Sequence, residues 1–342
     1  MINKQMKENI SESEALLEVK HLKTYFYSPE KKEIPAVDDV SFSVRRGETL
    51  CIVGESGCGK SVTSLSVMKL VAVPPGKYVS GEILFEGKNL LSLGKKEIRS
   101  LRCKEISMIF QEPMTALNPV HKIGAQIGEA LRINEGLEKK EARAKAVELL
   151  KMVGVPDPAR CADSYPHQLS GGMRQRAMIA MAFSCNPKLL LADEPTTALD
   201  VTVQAQILDL IQRLKEEHGM TVVFVTHDLG IVADIADRVI VMYAGRVVED
   251  ASCKELFANP SHPYTKGLLQ CIPRIDQTKE ILDTISGQVP SPADFPKGCR
   301  FHPRCPYAMK QCETMVPQPV NLGEHIVSCH LYSETEGDTY GV

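Results

Sequence analysis

A glycine-rich loop between a buried strand and a helix constrains this chain more than any other feature. Residues 49–53 (TLCIV) form an apolar run, which is typical of a parallel strand buried on both faces. Residues 54–61 (GESGCGKS) fit the pattern G-x-x-x-x-G-K-[ST], and a helix-like stretch, 61–70, follows. The backbone N–H groups of such a loop face a phosphate, and the helix N-terminus adds partial positive charge. The pattern therefore predicts a nucleotide phosphate site.

The rest of the chain predicts an α/β fold with a mostly parallel core sheet, because strand-like and helix-like segments alternate. Within the phosphate loop we expect Lys60 to contact the β- and γ-phosphates and Ser61 to ligate Mg²⁺. The predicted strands are 16–19, 37–44, 49–53, 189–192 and 222–225, and the predicted helices are 61–70, 137–152 and 203–218. The predicted nucleotide-binding residues of the loop are Gly54, Glu55, Ser56, Gly57, Cys58, Gly59, Lys60, Ser61 and Val62.

Two adjacent carboxylates follow the apolar run 189–192. Asp193 is placed to hold Mg²⁺ through water, and the side chain of Glu194 would point the other way on an extended strand. A carboxylate beside the γ-phosphate polarises the attacking water as a general base, which predicts that role for Glu194. The alternative is that both residues cap a helix that begins near Thr197.

A second glycine-bearing loop, 169–176 (LSGGMRQR), lies at the start of a helix and ahead of the acidic strand end. The phosphate loop, Gln111, this octet, Asp193-Glu194, 198–200 (ALD) and His227 occur in the order found in ATP-binding cassette (ABC) ATPases. Over about residues 15–260 the chain resembles that family. The resemblance implies a P-loop cassette with a mostly parallel core sheet, an antiparallel β subdomain and a helical signature subdomain at about 113–182.

The resemblance also implies roles for single residues. Gln111 senses Mg²⁺ and contacts the transmembrane partner, and His227 contacts the γ-phosphate. Asp200 belongs to a loop that crosses a dimer interface, and Phe26 stacks on adenine, with Tyr25 as the alternative. Without the ordered set of motifs, the alternatives are that Gln111 is an ordinary polar residue of a loop and that His227 is a structural histidine. The residues expected to reach the nucleotide of a second cassette are Leu169, Ser170, Gly171, Gly172 and Gln175.

Residues 110–119 (FQEPMTALNP) and 262–269 (HPYTKGLL) resemble the oligopeptide/dipeptide importer branch, which includes nickel importers. This implies an ATPase subunit that powers uptake of di- or oligopeptides, with nickel or another small solute as the alternative cargo. The implied partners are a second ATPase subunit (a paralogue or a second copy), two transmembrane permease subunits and, indirectly, an extracytoplasmic substrate-binding protein. Two rival interpretations are a soluble non-transport ABC ATPase and a metal-sensing regulator.

Composition narrows the class of protein further. The net charge of −3 gives no basic excess for nucleic acid. No segment approaches the roughly 18 to 20 apolar residues that a membrane helix needs, and residues 1–13 have no apolar stretch typical of a signal peptide. We therefore expect a soluble, cytosolic protein with its 11 cysteines reduced. The importer resemblance implies a peripheral position at the cytoplasmic face of the cell membrane.

Four cysteines crowd into the proline-rich C-terminal part with the spacing C-x5-C-x6-C-x16-C: Cys299, Cys305, Cys312 and Cys329. So many thiols with little sequence for a core favour a metal site over free thiols. The spacing is neither the ferredoxin run nor the C-x2-C of common zinc sites, and His302, His325 and His330 lie close by as substitutes. The importer resemblance implies a [4Fe-4S] cluster, with Zn²⁺ as the alternative.

The composition changes near Asn259. We therefore expect a flexible tail at 1–14, the ATPase domain at 15–260 and a separate, loop-rich extension at 261–342 that carries the four cysteines. Cys58 inside the phosphate loop lies next to a helix N-terminus and Lys60, both of which favour a thiolate. This predicts loss of ATPase activity on alkylation and protection by ATP, unless Cys58 is a small loop residue shielded by its neighbours.

Overall fold

The computed structural model describes residues 15–30, 32–197, 199–271 and 285–333. The predicted tail, 1–14, lies outside these residues. The described strands are β1 (Ala15–Tyr27), β2 (Glu33–Arg45), β3 (Thr49–Val53), β4 (Gly76–Phe85), β5 (Lys88–Asn89), β6 (Ile106–Ile109), β7 (Leu189–Asp193), β8 (Thr221–Thr226), β9 (Arg238–Tyr243), β10 (Arg246–Ser252), β11 (Val320–Asn321) and β12 (His325–Val327). The described α-helices are α1 (Lys60–Val67), α2 (Lys95–Leu101), α3 (Pro113–Ala116), α4 (Ile123–Glu135), α5 (Lys139–Met152), α6 (Pro158–Asp163), α7 (Gly171–Ala182), α8 (Val201–His218), α9 (Leu229–Ile235), α10 (Cys253–Ala258) and α11 (Pro263–Gln270).

An eight-stranded sheet forms the centre of the molecule, in the order β11-β12-β10-β9-β3-β8-β7-β6. The five strands from β9 to β6 pair in parallel, and the other three pair antiparallel at one edge. Strand β3 is buried on both faces, because Cys51 and Val53 pack into one apolar cluster and Leu50 and Ile52 into another. The prediction of a parallel strand there is confirmed. This strand holds the phosphate loop at its carboxyl end.

A second, four-stranded antiparallel sheet has the order β2-β1-β4-β5 and corresponds to the expected β subdomain. It packs on α1, where the hydroxyl groups of Thr24 and Ser66 lie 3.0 Å apart. The region from Pro113 to Ala182, all of which is described, contains five α-helices and no strand. Its helices pack closely, since a Cβ on Gly124 of α4 would lie 2.9 Å from Ala162 of α6.

The C-terminal extension shares the main sheet, so the expectation of a separate appendage is wrong in this respect. Strand β12 pairs with β10 along Glu249–Ala251, and β11 continues the sheet beyond it. The buried carboxylate of Glu249 accepts hydrogen bonds from the backbone N–H groups of Ser261 and His262 and from His325 Nε2. The extension is therefore fixed to the cassette by both backbone pairing and a buried charge. Among the described helices, none is long and apolar enough to span a membrane.

Candidate functional site

The phosphate loop has the backbone that its glycines predict. Gly54 and Gly59 have φ values of 149° and 100°, and a Cβ at Gly59 would collide with the carbonyl oxygen of Ala36. Gly59 is the N-cap of α1 and offers no side-chain cap, which leaves the N–H groups of the first turn to an anion. Lys60 is only 4% exposed, and its Nζ donates to the carbonyl oxygens of Gly54 at 2.7 Å and Glu55 at 3.1 Å.

Two oxygen ligands lie together beside the loop. Ser61 Oγ donates to Asp193 Oδ1 at 2.9 Å, which joins the start of α1 to the end of β7. The pKa of Asp193 is raised to about 6, chiefly by burial and also by nearby Glu194, while the Ser61 hydrogen bond and Lys60 act in the opposite direction. Hydroxyl and carboxylate oxygens are the ligands that Mg²⁺ prefers. These two residues therefore fit the expected magnesium site.

Glu194 is the centre of a polar cluster at the carboxyl end of β7. Its Oε2 accepts hydrogen bonds from Gln111 Nε2 and Thr197 Oγ1, each at 3.0 Å. Its Oε1 lies 3.4 Å from Nδ1 of His227, whose side chain is 61% exposed. The structure therefore brings together three residues that lie far apart in the sequence.

The local backbone at Glu194 differs from the sequence expectation. The strand ends at Asp193, and Glu194 has φ 44°, in the left-handed region. Strand alternation consequently does not set the direction of its side chain. The alternative that Asp193 and Glu194 cap a helix is also wrong, because α8 begins at Val201 and its N-cap is Asp200.

The octet begins helix α7. Ser170 is exposed and is the N-cap, with its Oγ accepting from Met173 N–H at 3.4 Å. Gly171 is exposed and Gly172 half-buried. Leu169 and Gln175 differ from the expectation that they reach the nucleotide of a second cassette, because both side chains are buried within this chain.

Gln175 instead connects the octet to the polar cluster inside the same chain. Its Nε2 donates to the carbonyl oxygen of Pro195, the residue after Glu194. Because the Gln175 side-chain amide is hydrogen-bonded to Pro195 O in its own chain, this side chain does not face a second cassette. Asp200 is exposed and accepts from Val203 N–H at 2.9 Å. Ala198 lies outside the described residues.

Two aromatic residues of β1 were expected near adenine. The Tyr25 hydroxyl donates to Asp38 Oδ1 at 2.7 Å, and Arg300 of the extension contacts the same carboxylate. Phe26 pairs with Ile34 on one side and Gly76 on the other. Because the Tyr25 hydroxyl is hydrogen-bonded to Asp38, Phe26 stays the preferred residue for adenine stacking.

Comparisons with known proteins identify the family. A family profile described as ABC transporter matches residues 37–197, and one described as oligopeptide/dipeptide transporter, C-terminal region, matches 248–312. The oligopeptide transport ATP-binding protein AppD of Bacillus subtilis is 54% identical over 320 residues, covering 93% of this chain and 97% of AppD. The chain belongs to the ABC transporter family.

Two further relatives agree with this assignment. The dipeptide transport ATP-binding protein DppD of Haemophilus influenzae is 49% identical over 324 residues, covering 95% of this cassette protein and 98% of DppD. Among solved structures, the ABC transporter MJ0796 cassette, determined as a dimer bound to ADP and Pi, superimposes with a TM-score of 0.63 at 31% identity. That match covers 69% of this chain and 98% of the MJ0796 chain. The expected fold class is thereby confirmed.

The structure contradicts the interpretation of Cys58 as a thiolate. Its side chain is completely buried, and burial raises the pKa of the thiol despite the nearby Lys60, which lowers it. The helix terminus and the lysine are present as expected, but desolvation outweighs them because a thiolate loses its hydration inside the cassette. The alternative, a small residue shielded by its neighbours, describes the structure.

The four C-terminal cysteines are free thiols in the structure. Within the described ranges, no three His, Cys, Asp or Glu side chains are grouped so as to hold a metal ion. Burial raises the pKa of Cys299 to about 11, and the charges of the other three thiols add to that effect. One ring nitrogen of His302 bonds to Cys299 O, one of His325 to Glu249 and one of His330 to Met315 O.

Sequence reasoning missed two residues that contact the phosphate loop. Arg304 makes an ion pair with the carboxylate of Glu55, and the Tyr264 hydroxyl accepts from Glu55 N–H. Tyr264 lies within the segment 262–269 that indicated the importer branch, and Arg304 directly precedes Cys305. Neither pattern predicted a contact with a loop more than 200 positions earlier in the chain.

Proposed function

We propose that this protein is the ATP-hydrolysing subunit of an ABC importer that powers uptake of di- or oligopeptides. The observation that carries the ATPase assignment is the convergence of Gln111, Thr197 and His227 on the carboxylate of Glu194, beside the Ser61–Asp193 pair. The cargo assignment is supported by the match of residues 248–312 to the peptide-transporter region and by the names of AppD and DppD.

Each polar residue of the site has a distinct task in hydrolysis. Glu194 accepts a proton from the attacking water as general base. Lys60 leaves its carbonyl partners to contact the β- and γ-phosphates, and His227 donates to the γ-phosphate, where negative charge is redistributed. When bound, Mg²⁺ neutralises charge on the β- and γ-oxygens. Ser61, Gln111 and Asp193 are the residues that would hold it.

A second cassette completes the site. The exposed Ser170 and Gly171, together with Gly172, would reach the γ-phosphate held by the partner's phosphate loop, and Asp200 would line the shared interface. The dimeric MJ0796 cassette supports this arrangement. The partner is a paralogue or a second copy. The pair would drive two permease subunits at the cytoplasmic face of the membrane, supplied by an extracytoplasmic substrate-binding protein.

Glu194→Gln tests the catalytic assignment in the assembled transporter. The amide keeps the shape but cannot take a proton, so we expect ATP hydrolysis to fall by about 10²–10⁴-fold while ATP binding persists. Glu112→Gln, which neutralises an exposed carboxylate next to Gln111, is the matched control and should retain activity. Hydrolysis at the wild-type rate by the Glu194 variant would refute the general-base role.

The cargo is tested by uptake in cells that carry the complete transporter. Cells with the wild-type protein should accumulate labelled dipeptide or oligopeptide, and cells with the Glu194→Gln variant should not. Nickel uptake with the same requirement, in the absence of peptide uptake, would instead identify the alternative cargo.

We also propose that Cys299, Cys305, Cys312 and Cys329 hold a [4Fe-4S] cluster, with Zn²⁺ as the alternative. The backbone N–H group two residues later in the chain lowers the thiol pKa of Cys299, Cys305 and Cys329, against the larger opposing effect of burial. The Cys312 sulfur accepts from Met309 N–H at 3.5 Å. A hydrogen bond to the sulfur favours the thiolate, which is the form in which cysteine would hold a metal.

Anaerobic purification followed by iron and sulfide analysis tests this proposal. Four irons and four sulfides per chain, with a brown visible spectrum, are expected. A colourless protein that contains one zinc would identify the alternative, and a metal-free protein with ordered free thiols would exclude both.

A further inference from the structure

We propose that Arg304 and Tyr264 of the C-terminal extension are positioning residues of the ATP site. Both act on Glu55, the second residue of the phosphate loop. In this arrangement the extension fixes the loop that binds the phosphates, and the affinity for ATP depends on the extension. The inference rests on the proposed ATP site and concerns its regulation by a part of the same chain.

Arg304 binds the Glu55 carboxylate through two parallel hydrogen bonds. Its Nη1 lies 2.7 Å from Glu55 Oε2, and its Nη2 lies 3.1 Å from Glu55 Oε1. The guanidinium also donates to the carbonyl oxygens of Ser286 and Ile285, and its side chain is only 5% exposed. The Glu55 hydrogen bond is the main cause of a raised pKa for Arg304. This pairing is therefore directional, and it joins a buried guanidinium to a carboxylate whose side chain is 31% exposed.

Tyr264 holds the backbone of the same residue. Its hydroxyl accepts from Glu55 N–H at 2.9 Å. The Tyr264 ring is completely buried and packs against Tyr243 and Phe301, with centroids 4.6 and 5.4 Å away. The Tyr264 N–H is in turn bound by His262 Nδ1 at 3.0 Å. The hydroxyl is thus held rigidly in place against the loop.

These contacts control both the shape and the charge of the phosphate loop. Glu55 is bound at its side chain by Arg304, at its N–H by Tyr264 and at its carbonyl by Lys60 Nζ. An unpaired carboxylate in this loop would repel the triphosphate, because like charges a few ångströms apart disfavour each other strongly in a partly buried site. Arg304 compensates that charge and keeps the carboxylate turned toward the extension. Its loss would weaken ATP binding rather than the chemical step.

The test measures ATP affinity of the full-length protein with a fluorescent ATP analogue, together with KM and kcat in the assembled transporter. Arg304→Gln should weaken ATP binding and raise KM by on the order of 10-fold, the expected size for a lost charge-assisted pair, with kcat changed much less. Arg304→Lys should recover part of the loss. Adding Glu55→Gln to Arg304→Gln should also restore affinity, because no unpaired carboxylate then remains.

Arg300→Gln is the matched control. Arg300 is a buried arginine of the same extension, and its hydrogen bonds go to the Asp38 carboxylate and to Ala244 O rather than to Glu55. The Arg300→Gln substitution should lower the melting temperature of the protein without raising its KM for ATP. Tyr264→Phe removes only the hydroxyl and provides an independent, milder loss of affinity if Arg304→Gln does not fold.

Three outcomes would overturn the inference: folded Arg304→Gln with wild-type KM, an equal rise of KM in Arg300→Gln, or no recovery in the double variant. Wild-type ATP binding is measured first, because its absence would refute the proposed function itself. Normal wild-type binding that is insensitive to Arg304 would refute only the role of the extension.

Discussion

Replacement of Glu249 should weaken the attachment of the C-terminal extension to the cassette. This carboxylate, on β10, is 0% exposed. Its Oε1 accepts from Ser261 N–H and from His325 Nε2, each at 2.6 Å, and its Oε2 accepts from His262 N–H at 2.9 Å. One side chain therefore joins the start of α11 and strand β12 to the main sheet.

The cost of losing Glu249 follows from these three hydrogen bonds. Glu249→Gln keeps the shape, but its NH₂ group must face at least one of the three donors. A hydrogen bond to a charged group contributes about 1.5–3 kcal/mol, and a buried donor left unpaired costs about 1–3 kcal/mol. We therefore expect a loss of about 2 kcal/mol in unfolding free energy for Glu249→Gln. Glu249→Ala leaves all three donors unpaired, and a loss of about 4 kcal/mol is expected.

Hydrogen exchange measured by mass spectrometry assays this loss where it occurs. The amides of Ser261 and His262 should exchange faster in Glu249→Gln by roughly 30-fold, the factor that corresponds to about 2 kcal/mol. Asp294→Asn, which removes the exposed ion pair with Lys32, is the control and should change stability by less than about 1 kcal/mol. A Glu249→Gln protein with wild-type exchange at both amides would refute the reasoning.

Two further predictions follow from buried titratable groups. Burial lowers the pKa of His262 to about 3, with Lys266 adding to the effect, so unfolding takes up a proton below pH 6.5. Stability should therefore be full above pH 6.5 and fall toward pH 3 by up to about 1.4 kcal/mol per unit; equal urea midpoints at pH 7.5 and 5.5, or the same acid loss in His262→Asn, would contradict this. Cys58, which is buried with a raised thiol pKa, should resist iodoacetamide in the native protein. Mass-spectrometric mapping that finds rapid, ATP-sensitive labelling of Cys58 would show the reasoning to be wrong.

Local sequence patterns predicted the elements that carry the site, because each pattern acts within a few residues. The apolar run before Gly54 is β3, and the apolar run before Asp193 is β7. Gly59 adopts the positive φ that a phosphate loop requires. These features depend on backbone sterics and on burial periodicity, which a short stretch of sequence specifies.

Side-chain environments could not be predicted in the same way. Cys58 has the neighbours that favour a thiolate, but the packing around it removes water and reverses the effect. Gln175 belongs to the octet, yet it turns inward to Pro195. Leu169 likewise lies in the interior. Desolvation and side-chain direction depend on atoms from distant segments, so the motifs alone left them open.

The sequence by itself determined the nucleotide loop, the acidic strand end, the order of the motifs and hence the family. Only the tertiary structure decided that Glu194 meets Gln111 and His227, and that the four-cysteine extension joins the main sheet and reaches the phosphate loop through Arg304. The physical reason is the range of the interactions. Glycine sterics and apolar periodicity act between neighbours in the chain, whereas a bidentate ion pair across about 250 positions exists only after the chain has folded.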